Sequence, residues 1–482
     1  MSQSTTPGRP SRRSILFGGA GAVTIVALSR RGAAGATAGP ATANLSDAQL
    51  VASSSQAPDV HLAATDGWVN IARPGDTGAA WMKDISPFWP DPLGHDHDNG
   101  NLYVFGFRNV TGLSDDDVVL ARGQAQISAP QLVFDQVAKD APREEGYRVK
   151  LSNLGIAVRP DLVDGHTIHW HGFVNAIPLF DGVPELSLSV PIGRSFTYFY
   201  RPYDPGTYMY HCHFEDVEHV QMGMTGVLFV RPLQNGNTDL YPSGRYAYND
   251  GDGSTGYDRE FGMMMTEIFA EGHYRDAHIQ TTDWTDFKAS FWCLNGRTFP
   301  DTVAPNAPWV SGTYPNGQLF DRGYDPHDDA GAIAGDGTTS IRFQPQSSLV
   351  TANAGERVLL RMASLGYQNH AMTVDSIDLR IVAKDASLLT VGGLVTEGGT
   401  PKAIVTNTVD VGPGESRDVI FTAPPHSGGT GPDKYLLYDR DYAYASNAGQ
   451  PGAPGGMRTE IWVYPAGALA KQVHPNEQSP LV

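Results

Sequence analysis

Residues 206–231 read GTYMYHCHFEDVEHVQMGMTGVLFVR, two strand-like runs joined by a segment dense in metal-ligating side chains. Between Tyr210 and Thr225 lie three histidines, one cysteine and two methionines. Neighbouring side chains on a strand face opposite sides. His211 and His213 therefore share one face and Cys212 takes the other, so a single strand can serve two sites. A second segment, HTIHWHG at 166–172, has the same parity. His169 and His171 share a face, and His166, three residues before His169, falls on the opposite one. One set is thus His166 with Cys212, and the other is His169, His171, His211 and His213. His219 and Met224 complete the first set as two imidazoles, a thiolate and a weak axial thioether, the donor combination of a type 1 (blue) copper site. Met222 is the alternative axial ligand. Zinc is the competing metal, but a solitary cysteine followed by a histidine and a methionine favours copper.

The strands around this segment set the fold class. Short alternating runs bounded by turn residues recur: NLYVFGFRNVTG (101–112), YRVKLSNLG (147–155), SFTYFYRP (195–202) and TGVLFVRP (225–232). With 54 Gly, 34 Pro and only 18% charged residues, this composition suits turn-rich β-sandwich structure. A polar Gly/Asn/Asp/Ser stretch at 233–258 reads as a linker. A second strand-rich series then includes GERVLLRMAS (355–364), SRDVIFTAP (416–424) and RTEIWVYP (458–465). The likeness of YRVKLSNLG to ERVLLRMASLG is a weak sign of duplication. The expected architecture is all-β, two Greek-key sandwich domains. Domain 1 spans 99–232 and domain 2 spans 259–466, with an N-terminal arm over 44–98 and a tail over 467–482.

Arg12 and Arg13 precede a short apolar run in SRRSILFGGAGAVTIVAL (11–28), followed by an Ala-rich stretch. Residues 1–43 read as a twin-arginine export signal, with cleavage near Ala36 or Ala43, which places the mature protein outside the cell and off the membrane. Acidic residues outnumber basic ones by 52 to 34, a formal charge of -18. Nucleic acid, which needs a basic footprint, is excluded as a partner. Only two cysteines exist. With Cys212 in a metal site, Cys293 is expected as a buried free thiol without a disulfide. The methionines of GMMMTEI (262–268) read as strand core.

The segments DGHTIHWHG, FDGVPELSLSVPIGRSFTYFY and GTYMYHCHFEDVEHVQMGM resemble the multicopper oxidases, laccase-like proteins built from cupredoxin domains. The resemblance covers most of 99–464 and is specific in domain 1. It implies that His166, Cys212, His219 and Met224 carry type 1 copper, which accepts electrons from a small donor (a phenol, an aromatic amine or a metal ion). It implies further that His169, His171, His211 and His213 supply half of a type 2/type 3 copper cluster that reduces O2. Cys212, His211 and His213 would form the electron path. Two-domain members assemble as homotrimers, which is the expectation for this chain.

Two departures stand out. The loop from Cys212 to His219 is longer than the family's usual one, implying a reshaped rim of the type 1 site. Domain 2 keeps His370 but has Thr373 and Asp375 at the next two ligand positions of NHAMTVDSIDLRIVAKD. Where HCH would recur it reads Tyr438, Asp439 and Arg440. Domain 2 is therefore expected to have lost its copper ligands. Candidates for completing the second centre are His370, His278, Asp375, and His95 with His97 in GHDHDNG. Asp164 is a candidate for orienting a ligand histidine, and Asp181 and Glu185 are candidate proton relays. Two other readings accompany the oxidase. One is a copper nitrite reductase-like enzyme; the other is a type 1 copper electron-transfer or copper-binding protein.

Overall fold

The computed structural model describes residues 57–71, 102–325, 340–447 and 454–481. The stretch read as an export signal, His95 and His97 lie outside these residues. Domain 1 is a sandwich of two four-stranded sheets. One is built from β1 (Val60–Val69), β2 (Leu102–Asn109), β4 (Tyr147–Asn153) and β6 (Ser195–Tyr200) in the order β2-β1-β4-β6. The other is built from β3 (Leu132–Asp135), β5 (His169–His171), β7 (Gly206–His211) and β8 (Thr225–Arg231) in the order β3-β8-β7-β5. Side chains from both sheets, among them Leu62, Phe105, Leu151, Trp170, Tyr200 and Leu228, form one core that also contains Cys212, Met222 and Met224. Trp170 stacks on Tyr200 with ring centroids 3.9 Å apart, a pairing worth about 0.5–1.5 kcal/mol beyond the area it buries.

The stretch read as an N-terminal arm needs correction, because it contains β1. Every residue of this strand is buried, so no in/out alternation marks it. Its partners are β2, antiparallel, and β4, parallel, with Val60 opposite Val149.

Domain 2 opens with β9 (Arg259–Ile268), paired with β10 (Phe291–Leu294) and with β14 (Arg357–Ser364). Its sheet continues through Ser416–Thr422 to β16 (Leu379–Lys384); β11 (Trp309–Thr313) and β12 (Leu319–Tyr324) form a separate hairpin. A facing sheet runs from β13 (Val350–Asn353) through Arg458–Tyr464 and Asp433–Asp439 to β15 (His370–Thr373). Met263 and Met265 of β9 pack in the core of this domain, as expected of strand methionines. Among the described residues three short α-helices interrupt the β structure: α1 (Asp115–Leu120), α2 (Asp216–Met222) and α3 (Ala270–Ala277).

The linker and the tail are both packed rather than loose. Tyr246, Tyr248 and Tyr257 of the linker are buried, and Tyr248 Oη donates to Asp418 of domain 2 at 2.5 Å. In the tail, Gln472 pairs with both backbone groups of Glu260, and Asn476 Oδ1 accepts from Gly262 N at 2.8 Å. Between the domains lies a buried polar cluster. Arg231 and Arg361 both engage Glu260, while Thr207 Oγ1 of β7 donates to Asp418 at 2.5 Å. Burial works against the Glu260 charge, yet the two guanidiniums prevail and hold its pKa at about 2. Removing one partner of such a cluster would strand a buried charge, and the register of domain 2 on β7 is held accordingly.

Candidate metal centre

The parity read from the sequence is realised in three dimensions. β5 and β7 pair antiparallel with His169 opposite His211. His169, His171 and His211 bring one ring nitrogen each within 4.8 Å of one another. The His213 ring joins them, 5.2 Å from His169 and 5.5 Å from His211 between centroids. On the opposite face, His166, Cys212 and His219 form a second such group, fully buried.

The buried group has the orientation a metal needs. The Nδ1 atoms of His166 and His219 lie 3.8 Å and 3.3 Å from Cys212 Sγ. Among the described residues, their Nε2 atoms have no hydrogen-bond partner. Thr167 braces the sulfur. Its backbone N–H donates to Cys212 Sγ at 3.4 Å, and its hydroxyl accepts from His213 N at 2.8 Å. His211 lies opposite Thr225 in the β7–β8 ladder, and Cys212 N donates to the Met224 carbonyl at 3.2 Å. Cys212 and Met224 are thus cross-strand neighbours, whose side chains share a face. Met222 instead ends α2. Both methionines are buried in the same core as the cysteine.

The segment between Cys212 and His219 is not an open loop. It turns sharply at Glu215, which adopts a left-handed φ of 47°, and enters α2, which carries His219. Gly223 closes the helix at φ 122°; a Cβ there would meet the Phe105 carbonyl at 2.7 Å. Only glycine fits this position, and it returns the chain to Met224 and β8. Asp164 Oδ2 stands 3.7 Å from His219 Nε2, too far for a hydrogen bond.

In the second group the outward-facing ring nitrogens are tied to the backbone. His169 Nδ1 donates to the Asp181 carbonyl at 2.7 Å, and His211 Nδ1 donates to the Cys212 carbonyl at 2.8 Å. Such bonds fix the tautomer and leave Nε2 lone pairs aimed into the cluster. Asp181 thus acts through its carbonyl, with its carboxylate at 3.7 Å from the same ring; Glu185 is exposed. Gly182 makes the carbonyl's approach feasible, because at φ 78° a Cβ would lie 2.2 Å from the Ile168 carbonyl. Burial lowers the pKa of His166, His169, His171 and His211, the last to about 3. These rings stay neutral at neutral pH, as metal ligation requires.

Domain 2 brings none of its candidate histidines to this cluster. Its turn at Gly414 closes over His171, where a Cβ would lie 3.0 Å from Nε2. His370 is buried elsewhere, its Nδ1 2.7 Å from Asp439 Oδ2 and its Nε2 2.5 Å from Glu267 Oε1. Burial favours the neutral ring, but Asp439 and Glu267 prevail and raise its pKa to about 9. Both nitrogens are engaged, which withdraws His370 from ligation. His278 caps α3 with Nδ1 2.7 Å from the Tyr274 carbonyl. Asp375 accepts from Tyr438 Oη at 3.3 Å. Cys293 is a free buried thiol, as is Cys212.

The comparisons with known proteins concentrate on this region. Residues 148–235 match the family model for multicopper oxidases. Over these residues the chain is similar to the multicopper oxidases. Copper is the cofactor this similarity implies, and the Cys/His donor set of the buried group suits it. The chain is 34% identical over 114 residues to multicopper oxidase VdtB of Byssochlamys spectabilis, covering 23% of this chain and 14% of that protein. It is 41% identical over 105 residues to laccase-1 of Emericella nidulans, covering 21% and 14%. The chain thus matches about a seventh of the length of these curated relatives. Among solved structures, the blue copper oxidase from Nitrosomonas europaea matches with a TM-score of 0.50 at 19% identity, covering 84% of this chain and 85% of that one. The multicopper oxidase mgLAC matches equally well, with a TM-score of 0.50 at 20% identity. Both establish the two-domain cupredoxin-like fold.

Sequence reasoning placed the ligand candidates but missed Thr167, Gly182, Gln221 and Glu267. Each of these acts through backbone or long-range contacts, and spacing along one strand carries no trace of such partners.

Proposed function

We propose that this chain is an exported copper-dependent oxidase. It would take single electrons from a small donor at a type 1 copper and pass them to a second, histidine-bound copper centre that reduces O2. In this reading His166, Cys212, His219 and Met224 would hold the type 1 copper, and His169, His171, His211 and His213 would hold the second centre. Copper bound there supplies one-electron redox chemistry, with four electrons and four protons consumed for each O2 taken to two waters. The observation that carries the reading is Cys212 itself, a side chain in the buried group whose two peptide neighbours both belong to the half-buried one. The chain's own residues provide a covalent route of a few bonds between the sites, a braced sulfur at Thr167 and a pre-aimed His169.

Among the described residues domain 2 gives this cluster no histidine, and four imidazoles suffice for one or two copper ions. The loop that brings Asp181 to His169 also exposes Val174, Ile177, Leu186 and Leu188. We place this face at the subunit contact of a homotrimer, to be tested by sedimentation of the copper-loaded protein. Export by the residue 1–43 signal belongs to the same proposal; an Arg12→Lys/Arg13→Lys variant retained inside the cell supports it. The donor is a phenol, an aromatic amine or a low-valent metal ion.

The deciding experiment follows oxygen uptake by copper-loaded protein with hydroquinone as donor. Uptake lost in His169→Ala while the blue band persists supports the oxidase. Nitrite turnover without oxygen uptake would overturn it.

A further inference from the structure

α2 carries His219 and leads to Met224, so anything that grips α2 sets the geometry of the buried group. Its outer face is gripped by domain 2. The Gln221 side chain lies against the end of β9 in the manner of a neighbouring strand's peptide. Its Nε2 donates to the Glu267 carbonyl at 2.9 Å, and its Oε1 accepts from Phe269 N at 2.6 Å. One amide thus satisfies both outward backbone groups of alternate residues, as a β-ladder partner would. Gln221 is buried, 4% exposed, so these bonds do not compete with solvent. A second grip comes from Tyr367, whose hydroxyl donates to the Val217 carbonyl of α2.

Both grips converge on Glu267. Its backbone carbonyl holds Gln221, Oε2 accepts from Tyr367 N at 2.6 Å, and Oε1 engages His370. Gly366 leaves room for this carboxylate, since a Cβ there would lie 2.1 Å from Oε2. His370 is in turn held by Asp439. An unbroken chain of polar contacts therefore runs from the helix bearing His219 to the His370–Asp439 pair of domain 2.

We propose that Gln221 is a positioning residue for the type 1 copper, through which domain 2, anchored at Glu267, fixes the helix carrying His219. The inference rests on the assignment of His166, Cys212, His219 and Met224 as copper ligands. The Glu267–His370–Asp439 cluster of domain 2 thereby serves as the anchor for the site of its neighbour. The His219–Sγ geometry is then set by an inter-domain hydrogen bond as well as by the local loop.

The test compares copper-loaded wild type with Gln221→Met, which keeps the volume and removes both hydrogen bonds. Ile461→Val, in the core of domain 2 away from α2, serves as a control for general destabilisation. Visible absorption, electron paramagnetic resonance and the rate of copper release to a cuprous chelator are recorded. Gln221→Met is expected to shift the blue band and the copper hyperfine splitting and to release type 1 copper about tenfold faster, in the range of other outer-sphere substitutions. Gln221→Glu, which keeps the acceptor for Phe269 N, is expected to fall between the two. Ile461→Val is expected to leave the spectra unchanged. Wild-type-like spectra in Gln221→Met, or an equal change in Ile461→Val, would overturn the inference. A wild type without any type 1 signal would instead sink the ligand assignment on which it rests.

Discussion

The two domains carry the same ladder with opposite contents. In domain 1, His169 faces His211 across β5 and β7; in domain 2, Thr373 faces Tyr438 across β15 and the strand Asp433–Asp439. The shared register sets His370 at the place of His166 and Asp439 at the place of Cys212. In one domain the imidazole Nδ1 looks at a thiol sulfur, in the other at a carboxylate oxygen. In domain 1 this pair belongs to a Cys/His group with His219, and in domain 2 to a buried ion triad with Glu267.

Substitutions can break this contrast. The largest effect is expected from Cys212→Ser, which removes the soft donor and should abolish the blue absorption and oxygen uptake together. Next is His370→Ala, which leaves two buried carboxylates uncompensated. It should cost about 3–5 kcal/mol of unfolding free energy in urea titration, a loss expected only if the triad is the ion-paired structure described.

The triad also predicts a pH dependence of stability. The pKa of His370 is raised from 6.5 to about 9. Its contribution to stability is fully present below about pH 6.5 and is lost as pH rises through about 9, and it amounts to about 3 kcal/mol. Urea midpoints of the wild type should fall relative to His370→Gln between pH 6.5 and 9.5. Parallel curves for the two proteins would show that the ring is not charged in the fold.

The smallest effect is expected at Asp164→Asn. This removes a charge 3.7 Å from His219 Nε2 and should lower type 1 copper affinity by about tenfold, read by competition with a chelator.

Much of this was legible from residues alone, for an identifiable reason. Strand parity is a local property, so the separation of Cys212 from His211 and His213 could be read from three letters. In domain 2 it was the resemblance to the multicopper oxidases, not parity, that implied Thr373, Asp375, Tyr438, Asp439 and Arg440 stand at ligand positions. β1 was missed because burial on both faces erases the alternation that marks a strand, and its pairing with β4 spans some 90 positions of chain. α2 was missed because seven residues carry too little periodicity to show a helix. The Glu267 anchor was invisible for a different reason. It joins His370 across 103 positions, and nothing in either segment announces the other. Gly182 and Thr167 act through the space or the backbone they offer, which a search for ligand side chains passes over.

Copper quantification combined with electron paramagnetic resonance on the reconstituted protein tests the central claim most directly. The account predicts a type 1 signal together with at least one further copper per chain, the latter lost in His169→Ala while the type 1 signal stays. One copper per chain with a type 1 signal alone would contradict the second centre. Copper retained in Cys212→Ser at full count would contradict the type 1 site itself.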